Sequence, residues 1–277
     1  MMAQAAEEAG FESLWCPEHV IMSRADDATP DLGVSEGKMD RLARRGGIPD
    51  PLIWLSFAAA ATKTIRLGTN VLVLPEHQPV VFAKAAGTLD HLAKGRLMLG
   101  IGVGTFPEEY AACGMDYHNR GKRMDEYIDA IRVLWRDDVA TFEGEHVAFR
   151  EVECRPWPVN RAVPLHVGGA SKAAIRRTAA RGDGYFPFVY PDQDITVVLP
   201  DLINQVKAAC REIGRDPAEI EFTSGGARSV EQAKWYAEAG VHRITVPVRA
   251  RTGADARDEL LRFGDEVIAK TQDVAPE

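Results

Sequence analysis

Many familiar short signatures are missing from this sequence, and each absence narrows what the chain can be. Only four cysteines occur in 277 residues, Cys16, Cys113, Cys154 and Cys210. They are scattered with no C-x-x-C pair, so neither a disulfide framework nor a zinc site is expected, and free thiols in a reducing cytoplasm are. Lys and Arg number 33 against 41 Asp and Glu, for a net charge of -8. A basic stripe for nucleic acid or a polybasic membrane face is therefore not expected. No apolar run approaches the roughly 20 residues of a membrane span. The N-terminus is acidic and helical in pattern, unlike a signal peptide. There is no G-x-S-x-G, Walker loop or H-E-x-x-H. His77, His91, His118, His146 and His242 stand at no metal-ligand spacing, so no metal site is expected.

What is present is a repeating alternation of buried strand and amphipathic helix. The clearest unit is Thr64 to Gly104. Ile65 to Leu74 is an apolar, β-branched run ended by Pro75. His77 to Ala93 carries apolar residues at helical spacing, and Gly95 stops it. Arg96 to Val103 is a second apolar run. Two strands apolar on both faces, joined by a helix, make a right-handed parallel βαβ unit. The same unit recurs along the chain. Phe11 to Pro17 reads as a strand, and Asp50-Pro51 as an N-cap with Pro at the first helical position. Asn119 to Trp135 is an amphipathic helix, and 139–158 a β-hairpin turning at Glu143-Gly144. Strands at 164–169, 184–188, 221–225 and 243–248 alternate with helices at 171–182, 195–214, 230–239 and 254–270. Seven core strands and about eight helices define a single parallel α/β domain over residues 1–277. Both a (β/α)₈ barrel and an open doubly wound sheet fit this count. Irregular segments near 24–47 and 105–160 are read as loop insertions. The first of these is a candidate substrate lid.

Three short patterns carry candidate chemistry. Gly168-Gly169-Ala170-Ser171 joins a strand to a helix. Its glycines admit a ligand to the backbone, and the helix N-terminus offers free N–H groups to a phosphate. A tight turn needing glycines for sterics alone reads equally well. Gly100-x-Gly102-x-Gly104 resembles a dinucleotide fingerprint, but its third glycine comes one residue early and an acidic segment follows. A strand end kept small under a ligand or a crossing loop suits it better. Glu18-His19 closes a strand, and adjacent strand residues point to opposite faces. On that alternation at most one of the two faces a pocket, and His19, able to move protons near neutral pH, is the stronger candidate. Arg120, Arg123, Asp125 and Glu126 read as ion pairs on a solvated helix face.

Taken together, these stretches resemble a known family. AEEAGFESLWCPEHV (6–20), DPLIWLSFAAAATKTIRLGTNVLVLP (50–75), KAAGTLDHLAKGRLMLGIGVG (84–104), RGKRMDEYIDAIRVLW (120–135) and PLHVGGASKAAIRRTAARGDGYFP (164–187) stand in the order found in the luciferase-like monooxygenase superfamily, in particular its coenzyme F420-dependent oxidoreductase branch. The resemblance implies a (β/α)₈ TIM barrel with a cofactor at the C-terminal strand ends. It implies a non-proline cis peptide at Asn70-Val71, or one bond later, backing the cofactor ring. Gly168, Gly169, Ala170 and Ser171 match the cofactor-phosphate turn. His19 matches a catalytic position near the reactive ring, with Glu18 beside it among the cofactor contacts. Gly102, Gly104 and Thr105 match the strand end next to that ring. Family members open with a strand reading like MKFGLFLP. This chain has none, so the barrel is expected to lack its first strand. The implied activity is hydride transfer between F420 and a small organic substrate. The alternatives are an FMN-dependent monooxygenase using O2 and a partner reductase, and a non-catalytic flavin-binding barrel. A cytoplasmic homodimer is the implied setting. A Rossmann-type dehydrogenase is disfavoured by the glycine spacing.

Overall fold

In the computed structural model, residues 2–22, 47–190, 192–250 and 252–276 are described. The proposed lid at 24–47 therefore lies outside the described residues except for Gly47.

The chain starts with α1 (Met2–Glu8) and β1 (Ser13–Cys16). Asp50 caps α2 (Pro51–Ala61) by accepting from the Ile53 amide at 2.8 Å, with Pro51 in the first turn. β2 (Arg66–Val73), α3 (Pro79–Leu92) and β3 (Leu97–Gly102) form the βαβ unit expected from the sequence. There follow α4 (Pro107–Ala112), α5 (Arg120–Arg136), a hairpin of β4 (Ala140–Glu143) and β5 (Ala148–Val152), and β6 (Leu165–Gly168). The chain closes with α6 (Lys172–Arg181), β7 (Gly184–Phe186), α7 (Ile195–Glu212), β8 (Glu221–Gly225), α8 (Val230–Glu238), β9 (Arg243–Thr245) and α9 (Gly253–Glu266). Within residues 105–160 the expected helix and hairpin are present as α5 and β4–β5, joined by the short α4 that the sequence did not show. The short α4 has too few residues to show a period, which is why the sequence hid it.

Seven strands form one parallel sheet in the order β1-β2-β3-β6-β7-β8-β9. It curls into a nearly closed barrel with helices outside. Leu67, Leu97, Leu99 and Ile101 turn outward against Leu55, Phe82, Leu89, Met124 and Ile128 of α2, α3 and α5. Tyr185 and Phe222 do the same against Ile175 of α6 and Leu199 and Val206 of α7. Inside the barrel, the Trp15 ring sits where a Cβ on Gly68 would stand, and the His166 ring does so at Gly184. Trp15 meets His166 and Phe186 edge-on, with centroids 6.0 and 5.7 Å away.

The two edges of the sheet, β1 and β9, face one another across a seam. As expected for a barrel short of one strand, no backbone ladder joins them among the described residues. A cavity of about 460 Å³ lies there, lined by Phe11, Glu12 and Ser13 on one side and His242, Arg243 and Ile244 on the other. Side chains bridge the seam. Buried Arg243 donates from Nε and Nη2 to the Glu12 carboxylate at 2.8 and 3.0 Å, and from Nη2 to Glu221 at 2.7 Å. Outside, Arg257 of α9 pairs with Glu8 of α1 at 2.7 Å.

The solvated-face reading of α5 needs correction. Arg123 is buried and donates to the Pro75 carbonyl at 3.4 Å. Glu126 accepts from the amides of Glu145, His146 and Val147, pinning the β4–β5 turn. Asp125 does pair across helices, with Arg177. The helix period was right, but its polar residues serve neighbouring elements rather than solvent.

Candidate active site

All seven strands are parallel, so their C-terminal ends share one face of the barrel. In barrels this is the face that carries sites. The candidate residues His19, Glu18, Asn70, Val71, Gly102, Gly104, Thr105, Gly168, Gly169, Ala170 and Ser171 all lie at or just past those ends.

The floor is built by β2, β3 and β6. The Asn70–Val71 peptide is cis, and the pairing register of β2 with β3 shifts between Thr69 and Leu72. This bulge turns Val71 across the sheet. A Cβ on Gly102 would stand 2.8 Å from Val71 Cγ2, and one on Gly168 2.9 Å from Val71 Cγ1. Val71 therefore reaches over the ends of β3 and β6, and only glycine leaves it room. Gly104, at φ +61°, repeats this on the next layer, with Val73 Cγ1 2.7 Å from its absent Cβ. The result is a flat apolar wall of valine over glycine. Thr105 lies in the turn from β3 to α4, where its carbonyl accepts from the Tyr117 hydroxyl at 3.4 Å.

Beside this wall, Gly169 takes φ +109°, a conformation that side chains strain to adopt. It turns β6 into α6. Ser171 caps that helix, its hydroxyl accepting from the Ala174 amide at 3.2 Å. Ala170 packs on the second core cluster. The first-turn amides of α6 open on the same barrel face as Gly168.

The rim is built from carboxylates and histidines. β1 ends at Cys16, so Glu18 and His19 lie beyond the strand and strand alternation does not apply to them. Both make hydrogen bonds at the rim, Glu18 buried and His19 partly open. Glu18 is buried. It accepts from the Val73 amide at 2.7 Å and from His77 Nε2 at 3.0 Å. His19 Nδ1 donates to Glu109 Oε2 at 3.0 Å, and the other Glu109 oxygen accepts from the amides of Val20 and Ile21. The His19 ring meets Phe106 edge-on at 5.3 Å and stays partly open to solvent. Glu109 is almost wholly enclosed.

Glu109 and His77 were missed from sequence. His77 stood aside for want of metal-ligand spacing, which a carboxylate partner does not require. Glu109 lies about 90 residues from the backbone it holds, beyond any local pattern. Among the described residues no group of His, Cys, Asp and Glu is arranged to hold a metal, and the four cysteines are free. Among them, too, no helix is long and apolar enough to cross a membrane.

A parallel, nearly closed barrel of seven strands, bulged at one strand end, with a glycine wall and a helix N-terminus on the same face, is an α/β barrel of the luciferase-like type. The sequence profile of the luciferase-like monooxygenase family matches residues 1–273, and the chain belongs to that family. It is similar to the uncharacterized protein Rv0953c of Mycobacterium tuberculosis, 32% identical over 92% of this chain and 88% of the relative. It is similar also to an F420-dependent glucose-6-phosphate dehydrogenase of Kineococcus radiotolerans, 28% identical over 96% of this chain and 74% of that protein. Among solved structures, monooxygenase RslO1 from Streptomyces bottropensis superposes with a TM-score of 0.75 at 19% identity, over 97% of this chain and 92% of that one.

Proposed function

We propose that this chain is an oxidoreductase that moves a hydride between coenzyme F420 and a small organic substrate. The observation that carries the reading is the joining on one face of the Val71 wall, the Gly168–Ser171 turn and the Glu109-held His19. Gly102 and Gly168 carry no side chains, so Val71 seats over both strand ends and is the surface against which a flat ring would lie. A cofactor phosphate suits the first-turn amides of α6. When bound, the deazaflavin supplies the hydride chemistry. The chain's own part is positional. Glu109 fixes the orientation of His19 through Nδ1, leaving Nε2 as the nitrogen that takes or returns the proton accompanying the hydride. Glu18 ties the end of β2 to His77.

The relative from Kineococcus supports F420 as the cofactor. The second reading, an FMN monooxygenase, is favoured by the family's own description. One titration separates them, with binding of F420 and of FMN followed by cofactor fluorescence. Tight binding of F420 alone supports hydride transfer. Preference for FMN, with oxygen consumed when reduced FMN is supplied, overturns it.

The setting we propose is a cytoplasmic homodimer. Ile53 and Phe57 of α2 and Val81 of α3 are 63%, 73% and 67% exposed, an apolar face suited to a second copy. Sedimentation at the mass of a single chain would remove this part.

A further inference from the structure

The rim holds a third carboxylate that the reading above does not use. Glu76 ends the 3₁₀ turn Leu74–Glu76 that follows β2, next to His77. It is 7% exposed, and neither carboxyl oxygen has a hydrogen-bond partner. The other two rim carboxylates are well supplied. Glu18 has the Val73 amide and His77, and Glu109 has His19 and two amides. Charge on Glu76 would have no donor, in a place its neighbours already fill with negative charge.

The groups around it come from three other elements. Glu18 lies past β1. Glu109, Tyr110 and Cys113 lie on α4 and its C-terminal cap, and the thiol and phenol both feel the Glu76 charge. From α5, Arg123 donates to the Pro75 carbonyl, one residue away, and Arg120 stacks on Tyr117. On its own turn stands His77, already committed to Glu18. Burial, with the charges of Glu109 and Glu18 adding to it, pushes the Glu76 carboxyl up to about 8.

We propose that Glu76 is a positioning residue that works only while it carries a proton. Neutral, it lets the Glu18–His77 and Glu109–His19 pairs stand side by side. Ionised, it repels both carboxylates and frees the two histidines they hold. The consequence for cofactor binding rests on the oxidoreductase reading, whereas the consequence for the histidines does not.

The test uses the full chain with ¹⁵N-labelled histidine, as wild type and as Glu76→Gln, from pH 6 to 9.5. The side-chain N–H signals of His19 Nδ1 and His77 Nε2 should be present at pH 7 in both proteins. In the wild type they should fade with a midpoint near pH 8, and in Glu76→Gln they should persist through pH 9. One unit above the midpoint about a tenth of the molecules keep the proton, so F420 affinity should fall about tenfold in the wild type and by less than about twofold in the variant. If the two proteins share one pH profile, Glu76 is not the switch. If the wild-type signals survive to pH 9.5, Arg123 or another group matches the charge and the proposal fails. Should Glu76→Gln not fold, Glu76→Met provides the same neutral comparison. Should F420 bind at no pH, the functional reading falls and the histidine signals still decide the role of Glu76.

Discussion

Arg243→Met tests how the barrel stays closed. β1 and β9 share no ladder, so their approach depends on side chains, and Arg243 contributes three charge-assisted hydrogen bonds at 2.7 to 3.0 Å. Methionine keeps the apolar stem and removes the guanidinium. Breaking a fully buried pair from one side costs about 3–5 kcal/mol. Here Glu12 is 51% and Glu221 32% exposed, so water can recover part of the loss. An expected cost of about 2–3 kcal/mol follows for a site this open, once solvent screening is allowed for. In a chain of this length that lowers Tm by roughly 3–5 °C, measured by calorimetry at pH 7. The pH dependence gives a second readout. Burial pushes the Glu12 carboxyl up, but the hydrogen bond and charge of Arg243 outweigh it and leave the group below its usual range. At Glu221 burial is likewise outweighed, by the hydrogen bond and charge of Arg243, with the His166 ring 3.3 Å away. Carboxyls lowered in the folded state contribute stability that is present above their unfolded value of about 4.3 and lost as pH falls through the folded values. The gap between wild type and Arg243→Met should therefore narrow below about pH 4. A Tm drop under about 1 °C at pH 7, or a gap that stays constant down to about pH 3, would refute the idea that Arg243 holds the seam.

Three further outcomes follow from the rim and the outer face. His19→Ala should lower kcat by about 10²- to 10⁴-fold while F420 binding, read by fluorescence, stays within a few-fold. Unchanged turnover would remove His19 from the chemistry. Gly102→Ala and Gly168→Ala each place a methyl group within 3 Å of Val71. Each should weaken cofactor binding about tenfold or more, with circular dichroism unchanged, because the wall must move to make room. Equal affinity would show that the cofactor lies elsewhere. Phe57→Asp should convert a dimer into a monomer in sedimentation. No change in mass would mean that the α2 face is not the contact.

The sequence disclosed the strands and helices because both follow local periods. Leu97 to Gly102 is apolar at every position because the strand is covered on both faces. Asp50-Pro51 starts α2 through contacts within three residues. The strand-end glycines were legible as small residues, but their reason was not. Gly102 and Gly168 are empty because Val71 reaches over them from another strand, and that depends on a bulge whose register only the folded sheet fixes. The Asn70–Val71 cis bond came from family resemblance rather than from any residue pattern.

The polar architecture was the least legible part, and one physical cause runs through its cases. Carboxylates here serve as acceptors for backbone amides that have no partner in a helix or sheet. Glu7 receives three amides at Lys63, Thr64 and Ile65. Asp90 receives those of Leu97 and Val159, Glu126 the β4–β5 turn, Glu18 the end of β2, and Glu109 the chain beyond β1. Each bond except Asp90 to Leu97 spans 19 residues or more, so no local window relates donor to acceptor. Burial of an amide demands a partner, and a βα fold leaves many amides at its loop ends. An acidic residue at such an end therefore reads as solvated surface in sequence and becomes a clamp in the fold. Glu76 lies in the same setting without an amide to hold. That difference, rather than its burial alone, separates it from the clamps and makes its proton the feature to test.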